Sequence, residues 1–387
     1  MAPSSCAAKH LPVVTVLYRT LPLYRIPFFE ALRPHLELRG VRFRIIYGQP
    51  ASEEESRRDT GEIDWGDSIR NVDFCLGSRR VYWQPCLSLL KDTDLVIVEQ
   101  ASKLLINYFL ILKQHVGGPK LAFWGHGKNL MAHRASAIGE RIKRIVSPRA
   151  HWWFAYNDSS AAMVENMGFP QERITVVQNT IETKSLLARK DATTPSDLEK
   201  LRRTVGLKGN NVAVFLGGLY AEKRIDFLLQ AARSIRSRIP DFELLVVGAG
   251  SQEATVRQAA LAAPWIHFIG PKFHGDRVPY LMLSKVMLLP GAVGLGIIDS
   301  FALEVPLITV DRSAHGPEIE YLEHRTNGLK LDAETTAEQY GQAVVSILED
   351  ERHLSSLKKG CRNSAGQYRL ETMVERFAEG VLKALET

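Results

Sequence analysis

Apolar residues occur in short unbroken runs, separated by stretches in which they recur every three to four positions. Val13-Val-Thr-Val-Leu-Tyr18 is such a run, and an apolar segment of this length without polar alternation predicts a strand covered on both faces. A helix over 28–38 and a strand over 43–47 follow. Residues 49–72 are polar and acid-rich and predict a long surface loop. The rhythm resumes with a strand over 94–99, a helix over 102–114, a strand over 120–124, a helix over 138–145 and a strand at Trp152-Trp-Phe-Ala155. Strands alternating with helices imply parallel pairing through right-handed crossovers.

The alternation lapses over 184–208, where a polar stretch around Thr193-Thr-Pro-Ser-Asp197 predicts a linker, and then returns more cleanly. Asn211-Val-Ala-Val-Phe-Leu216 predicts a strand. A helix over 222–238 carries Ile225, Leu228, Leu229, Ala232 and Ile235 on one face. Strands at 243–247 and 266–269 with a helix at 251–262 come next, followed by further units at 277–283, 285–289, 295–303, 306–310 and 314–322 and a helical tail over 334–386. The expected architecture is α/β, with two doubly wound, Rossmann-like domains. Residues 1–185 form the first and 186–367 form the second. Ligands are expected at the carboxyl ends of the strands.

Composition narrows the class. The chain has 387 residues, 45% hydrophobic and 24% charged, as an ordinary globular protein of two domains has. No apolar run approaches the ~20 residues that span a bilayer, and residues 1–10 predict no secretion signal. Four scattered cysteines predict neither a disulfide framework nor a zinc site, and fit a reducing cytoplasm. Residues 1–180 hold 23 Lys and Arg against 17 Asp and Glu, while the remainder is balanced. That positive half suits anionic partners, or solubility alone. Arg141-Ile-Lys-Arg144, with Arg149-Ala-His-Trp-Trp153, reads either as a surface for an anionic membrane or as a solvated helix leading into a buried strand. Nucleic acid fits least, because no recognition module accompanies the charge.

Three glycine-bearing turns in the second half each follow a predicted strand: Phe215-Leu-Gly-Gly218 leading to Glu222-Lys223, Val247-Gly-Ala-Gly250, and Leu289-Pro-Gly-Ala-Val-Gly-Leu-Gly-Ile-Ile-Asp299. Each alone is ordinary turn chemistry. Together they suit a diphosphate, with Lys223 as cation, Gly217, Gly218, Val293, Gly294 and Leu295 as amide donors, and Asp299 as acceptor for ribose hydroxyls. In the first half, Arg19 and Arg25 flank a strand-to-helix turn and read as acceptor-holding cations or as surface charge. On spacing alone, His126 reads first as a strand-end histidine bonded to backbone.

The second half resembles the donor domain of the retaining glycosyltransferases of family 4, which have the GT-B fold. The resemblance aligns Gly217 and Gly218 with the turn facing the donor phosphates, and Lys223 with the lysine on the diphosphate. Gly248, Gly250 and Pro271 align with the nucleoside pocket. Residues 290–306 align with the segment that normally carries Glu-x7-Glu, and His315-Gly-Pro-Glu318 through Asn327-Gly328 with the pattern that follows. It also casts His126 as a donor-sugar contact, and matches Val176-Val-Gln-Asn179 to the lead-in to the linker. Four positions depart from the pattern: Gly291 and Asp299 stand at the two glutamates, Gly218 replaces a frequent arginine, and Glu304 replaces a glycine.

The resemblance implies two domains facing each other across a cleft, with the C-terminal helical segment 368–387 returning to the first. It implies transfer, with retention of configuration, from a UDP- or GDP-sugar to a glycan or lipid-linked acceptor in capsule, exopolysaccharide or O-antigen synthesis. His126 and Lys223 are the expected catalytic residues. No metal or separate cofactor is expected, and the expected place is the cytoplasm or the inner membrane face. A sugar-nucleotide epimerase using Glu99, Asp299 or Glu318, and a non-catalytic nucleotide-binding partner subunit, are the alternatives.

Overall fold

A computed structural model describes residues 11–50, 60–76, 79–127, 147–312 and 315–387. Contacts divide the chain into two compact units, with crossings at Gln178/Asn179 and Leu370/Glu371. The sequence reading sets them at 185/186 and 367/368.

The first unit is built on a seven-stranded parallel sheet. Its strands are β1 (Val13–Tyr18), β2 (Arg42–Gly48), β3 (Asp67–Ile69), β6 (Leu95–Glu99), β7 (Lys120–Gly125), β8 (Trp152–Ala155) and β9 (Ile174–Val176). They stand in the order β3-β2-β1-β6-β7-β8-β9. Every residue of β1 is buried, as an unbroken apolar run requires between two layers of helices. The span read as a loop contains β3. Beyond it an antiparallel hairpin, β4 (Val72–Leu76) and β5 (Arg79–Trp83), leaves Val72 and Phe74 exposed. Among the described residues of this ribbon only Tyr82 is buried, too little to give an alternation that can be read.

Helix Leu370–Glu386 belongs to this unit. Phe377 stacks on Phe154 at 4.3 Å between ring centroids, and meets the Trp124 ring edge-to-face at 4.8 Å. Trp152 and Trp153 are 2% and 0% exposed, so they pack in the core and present nothing to a membrane. The predicted helix over 138–145, including Arg141, Lys143 and Arg144, lies outside the described residues.

The second unit holds β10 (Asn211–Leu216), β11 (Phe242–Val247), β12 (Ile266–Gly270), β13 (Val286–Leu288), β14 (Leu307–Val310) and β15 (Gly328–Leu331). They form one parallel sheet in the order β12-β11-β10-β13-β14-β15, the doubly wound arrangement whose strand order reverses between β10 and β13. The stretch at 184–208 is two helices, Lys184–Ala192 and Pro195–Val205. The second has a Thr194 capping box and ends at left-handed Gly206. Its polarity is that of helices with few buried residues, and it simulates a linker. No helix among the described residues is long and apolar enough to cross a membrane.

Candidate functional site

The two switch strands of the second unit bring the predicted residues together. Gly217 follows β10 in an extended, positive-φ conformation, and its neighbouring turn follows β11. A Cβ on Gly248 would overlap the Gly217 carbonyl oxygen, and one on Gly250 would sit 2.5 Å from that of Leu219. Glycine is needed at both places because two backbones pass in contact. Hydrogen bonds then lace the turns. Gly217 N donates to Val247 O (3.0 Å), Leu219 N to Ala249 O (2.8 Å) and Gly248 N to Gly270 O (3.0 Å). The Gly217 amide is therefore spent on the sheet and is unavailable to a phosphate. The Gly218 and Gly294 amides donate to no other described residue.

Lys223 does not open a helix as the sequence suggests. It ends a 3-10 turn, Ala221–Lys223, and the helix Ile225–Arg238 starts only after left-handed Arg224 (φ 56°). That turn lies against the end of β13. Ala292 N donates to Glu222 O (2.9 Å), and the Lys223 ammonium donates to Ala292 O. Lys223 Cε is 4.0 Å from a Cβ position on Gly217, so residues 217, 223 and 292 share one edge of the sheet. Burial lowers the lysine's pKa, and the carboxylates of Glu222 and Glu318 oppose the shift.

The departures from the family pattern have packing causes. A side chain at 291 would sit 2.5 Å from the Lys223 carbonyl carbon, so no glutamate fits. A side chain at 218 would strike the Tyr220 ring. Glu304 holds a left-handed backbone (φ 58°), where glycine is cheaper, and is compensated by Lys190 at 2.9 Å and Arg362 at 2.5 Å.

Two donor-site expectations change. The Val293 amide donates to His315 Nδ1 (3.0 Å), while His315 Nε2 pairs with Val310 O (2.8 Å), so a neutral histidine consumes it. Asp299 is buried in the short helix Gly296–Ala302 and engaged by the Arg277 guanidinium at 2.7–2.8 Å. Burial raises its pKa and Arg277 opposes the rise. Leu295 caps that helix, and Pro271 is exposed just past β12. Sequence reasoning missed Arg277, because a lone arginine in a polar turn carries no signal.

In the first unit the strand order reverses between β1 and β6, and there Arg19 N donates to the Glu99 carboxylate (2.7 Å). Burial raises the Glu99 pKa, and that bond opposes the rise. The Arg19 guanidinium lies 5.0 Å above the Tyr82 ring. Arg25 is not a surface cation. It is 1% exposed, with its guanidinium 4.5 Å from the Trp124 ring, 5.2 Å from Tyr24 and 5.8 Å from Tyr156, and it donates to Met373 Sδ. A weakly hydrated planar cation tolerates such a cage. His126 follows β7, half-buried and stacked on Tyr156 at 5.8 Å.

Residues 210–350 match the family profile described as "Glycosyl transferases group 1". The chain is 26% identical over 180 residues to an uncharacterized glycosyltransferase of Haemophilus influenzae, covering 45% of this chain and 49% of that protein. It is 28% identical over 199 residues to a GDP-mannose-dependent alpha-(1-6)-phosphatidylinositol monomannoside mannosyltransferase of Mycobacterium tuberculosis, covering 48% and 51%. The aligned part thus spans about half the length of these curated relatives. Among solved structures, Anabaena Alr3699/HepE in complex with UDP superposes with a TM-score of 0.70 at 15% identity, over 96% of this chain and 99% of that one. The fold is that of the GT-B glycosyltransferases.

Proposed function

We propose that this protein is a glycosyltransferase, moving a sugar from a nucleotide-diphosphate donor to a glycan or lipid-linked acceptor with retention of configuration. The observation that carries the reading is the convergence of Lys223, Gly218 and Gly294 at the reversal of strand order in the second sheet. A buried ammonium beside uncommitted amides suits the charge that develops on a departing diphosphate. In the step proposed, the bond from the anomeric carbon to the diphosphate oxygen breaks and its electron pair leaves with the diphosphate. The acceptor oxygen bonds that carbon on the same face, and its proton passes to the leaving diphosphate.

The solved neighbour with UDP and the curated relative named for GDP-mannose support a nucleotide-sugar donor and leave UDP and GDP as the two candidates. His126 is assigned to the donor sugar and Arg19 to the acceptor. The proposal includes no resident metal or cofactor, a place in cell-surface polysaccharide synthesis, and work in the cytoplasm or at the membrane's inner face. Incubating the purified protein with UDP- and GDP-sugars and an acceptor tests it, with release of the nucleotide as the expected result. Epimerised donor sugar would favour the epimerase, and tight nucleotide binding without turnover would favour a partner subunit.

A further inference from the structure

Glu318 is a carboxylate beside a site whose ligand is an anion, and that placement requires a reason. It is 4% exposed, in the 3-10 turn Pro317–Tyr321 that follows the loop after β14. Its Oε1 accepts from Asn179 Nδ2 at 2.5 Å. Its Oε2 lies 2.7 Å from where a Cβ on Gly316 would stand, so glycine at 316 lets the carboxylate sit there, and 3.9 Å from that position on Gly294, in contact range of the strip Ala292–Gly294. Gly316 N closes the arrangement by donating to Val293 O at 2.7 Å. Lys223 holds the other end of the same strip through Ala292 O.

We infer that Glu318 is a positioning residue for the donor site, the fixed counter-charge that keeps the Lys223 ammonium in place and ready for a diphosphate. The inference rests on the function proposed above. A lysine that loses water on burial tends to give up its proton, and a nearby fixed anion resists this. Two carboxylates, Glu222 and Glu318, act on Lys223 in that sense. Glu222 belongs to the same turn and gives its backbone oxygen to Ala292, whereas Glu318 reaches the strip from a separate loop. The His315 ring, also against the strip, is held neutral by burial and adds no charge of its own. Asn179, the first residue of the second unit after the crossing, anchors the carboxylate, and Tyr321 Oη donates to the Asn179 carbonyl at 3.0 Å.

The test is the pH dependence of UDP and GDP binding by calorimetry, for wild type, Glu318→Gln, Glu318→Asp and Lys223→Arg. The bases of these nucleotides titrate in the alkaline range, so Lys223→Arg, whose cation keeps its proton there, supplies the reference curve. Glu318→Gln can keep the bond from Asn179. Its alkaline loss of affinity is expected about one pH unit below that of wild type, the size of losing one nearby charge at a partly buried site. Glu318→Asp retains the charge and is expected to stay near wild type. The double variant Lys223→Arg/Glu318→Gln is expected to lose the shift. Coincident curves for wild type and Glu318→Gln, or equal damage by Asp and Gln, would overturn the inference. Absence of nucleotide binding by the wild type at every pH would instead remove the function on which it rests.

Discussion

The two sheets reverse strand order in the same way, yet they furnish their reversal points with different chemistry. In the second unit, turns meet backbone to backbone, with Gly217 against Gly248 and Gly291 against Lys223, and the Lys223 ammonium lies along the same edge as the uncommitted Gly218 and Gly294 amides. In the first unit, side chains fill the equivalent position: Glu99 takes the Arg19 amide, Tyr82 lies under its guanidinium, and Arg25 is enclosed by aromatic rings. A glycine edge has one geometry and suits an invariant partner such as a diphosphate. A side-chain edge can be changed residue by residue, and suits a partner that differs from one enzyme to another.

If that contrast is sound, damage to the glycine edge should abolish donor chemistry, while damage to the aromatic edge should spare nucleotide binding. The largest effect is expected from Lys223→Ala, with turnover lower by roughly 10²-fold, the scale of removing one charge-stabilising donor. Nucleotide release by the purified variant measures it, and wild-type turnover would take Lys223 out of the mechanism. Next comes Gly248→Ala. The new methyl collides with a backbone oxygen that cannot move without breaking β10 and β11 apart, a cost of about 3 kcal/mol. The control is Gly366→Ala, in a helix with open space around the added carbon, which should stabilise by about 0.5–1 kcal/mol. Equal denaturation midpoints for the two variants would refute the close-approach argument. Arg25→Lys keeps the charge and loses the planar stacking, and is expected to cost about 1–2 kcal/mol while UDP and GDP binding stays unchanged. Lost nucleotide affinity in that variant would blur the distinction between the two edges.

What could be read in advance follows the same division. The inner strands of both sheets were legible because parallel strands buried on two faces appear as unbroken apolar runs, as in Val13–Tyr18 and Asn211–Leu216. The partly exposed edge strands Asp67–Ile69, Ile174–Val176 and Gly328–Leu331 carry no such run and were not. The glycine turns were legible because glycine at a strand end is a backbone requirement visible in one letter. The commitments of the amides were not. Gly217 and Val293 carry the expected residue types, but Val247 O and His315 Nδ1, far away in sequence, decide whether their N–H groups are available. The burial of Arg25 was hidden for a similar reason, since its cage draws on Trp124, Tyr156 and Met373. The helices at 184–205 were hidden by their polarity, since few of their residues are buried.

The smallest expected effect bears on how the glycine edge is held rigid. His315 bridges the loops after β13 and β14 as a neutral ring, accepting from Val293 N at one nitrogen and pairing with Val310 O through the other. Burial is the main cause of its lowered pKa. The folded state therefore resists taking a proton that the unfolded chain accepts near the ordinary histidine value of about 6.5. More protons bound in the unfolded state means that stability falls as the solution is acidified below that value. For one group the slope is at most about 1.4 kcal/mol per pH unit. Urea unfolding at pH 7.5 and 5.5 should show this loss, and His315→Asn, whose side-chain oxygen can still accept from Val293 but does not titrate, should reduce it. Comparing the variant with wild type cancels the contribution of His151, whose pKa is also lowered, chiefly by burial. An unchanged acid slope in the variant would mean that His315 binds its proton no less readily in the folded state than in the unfolded chain, and that the edge owes its rigidity to the glycine contacts alone.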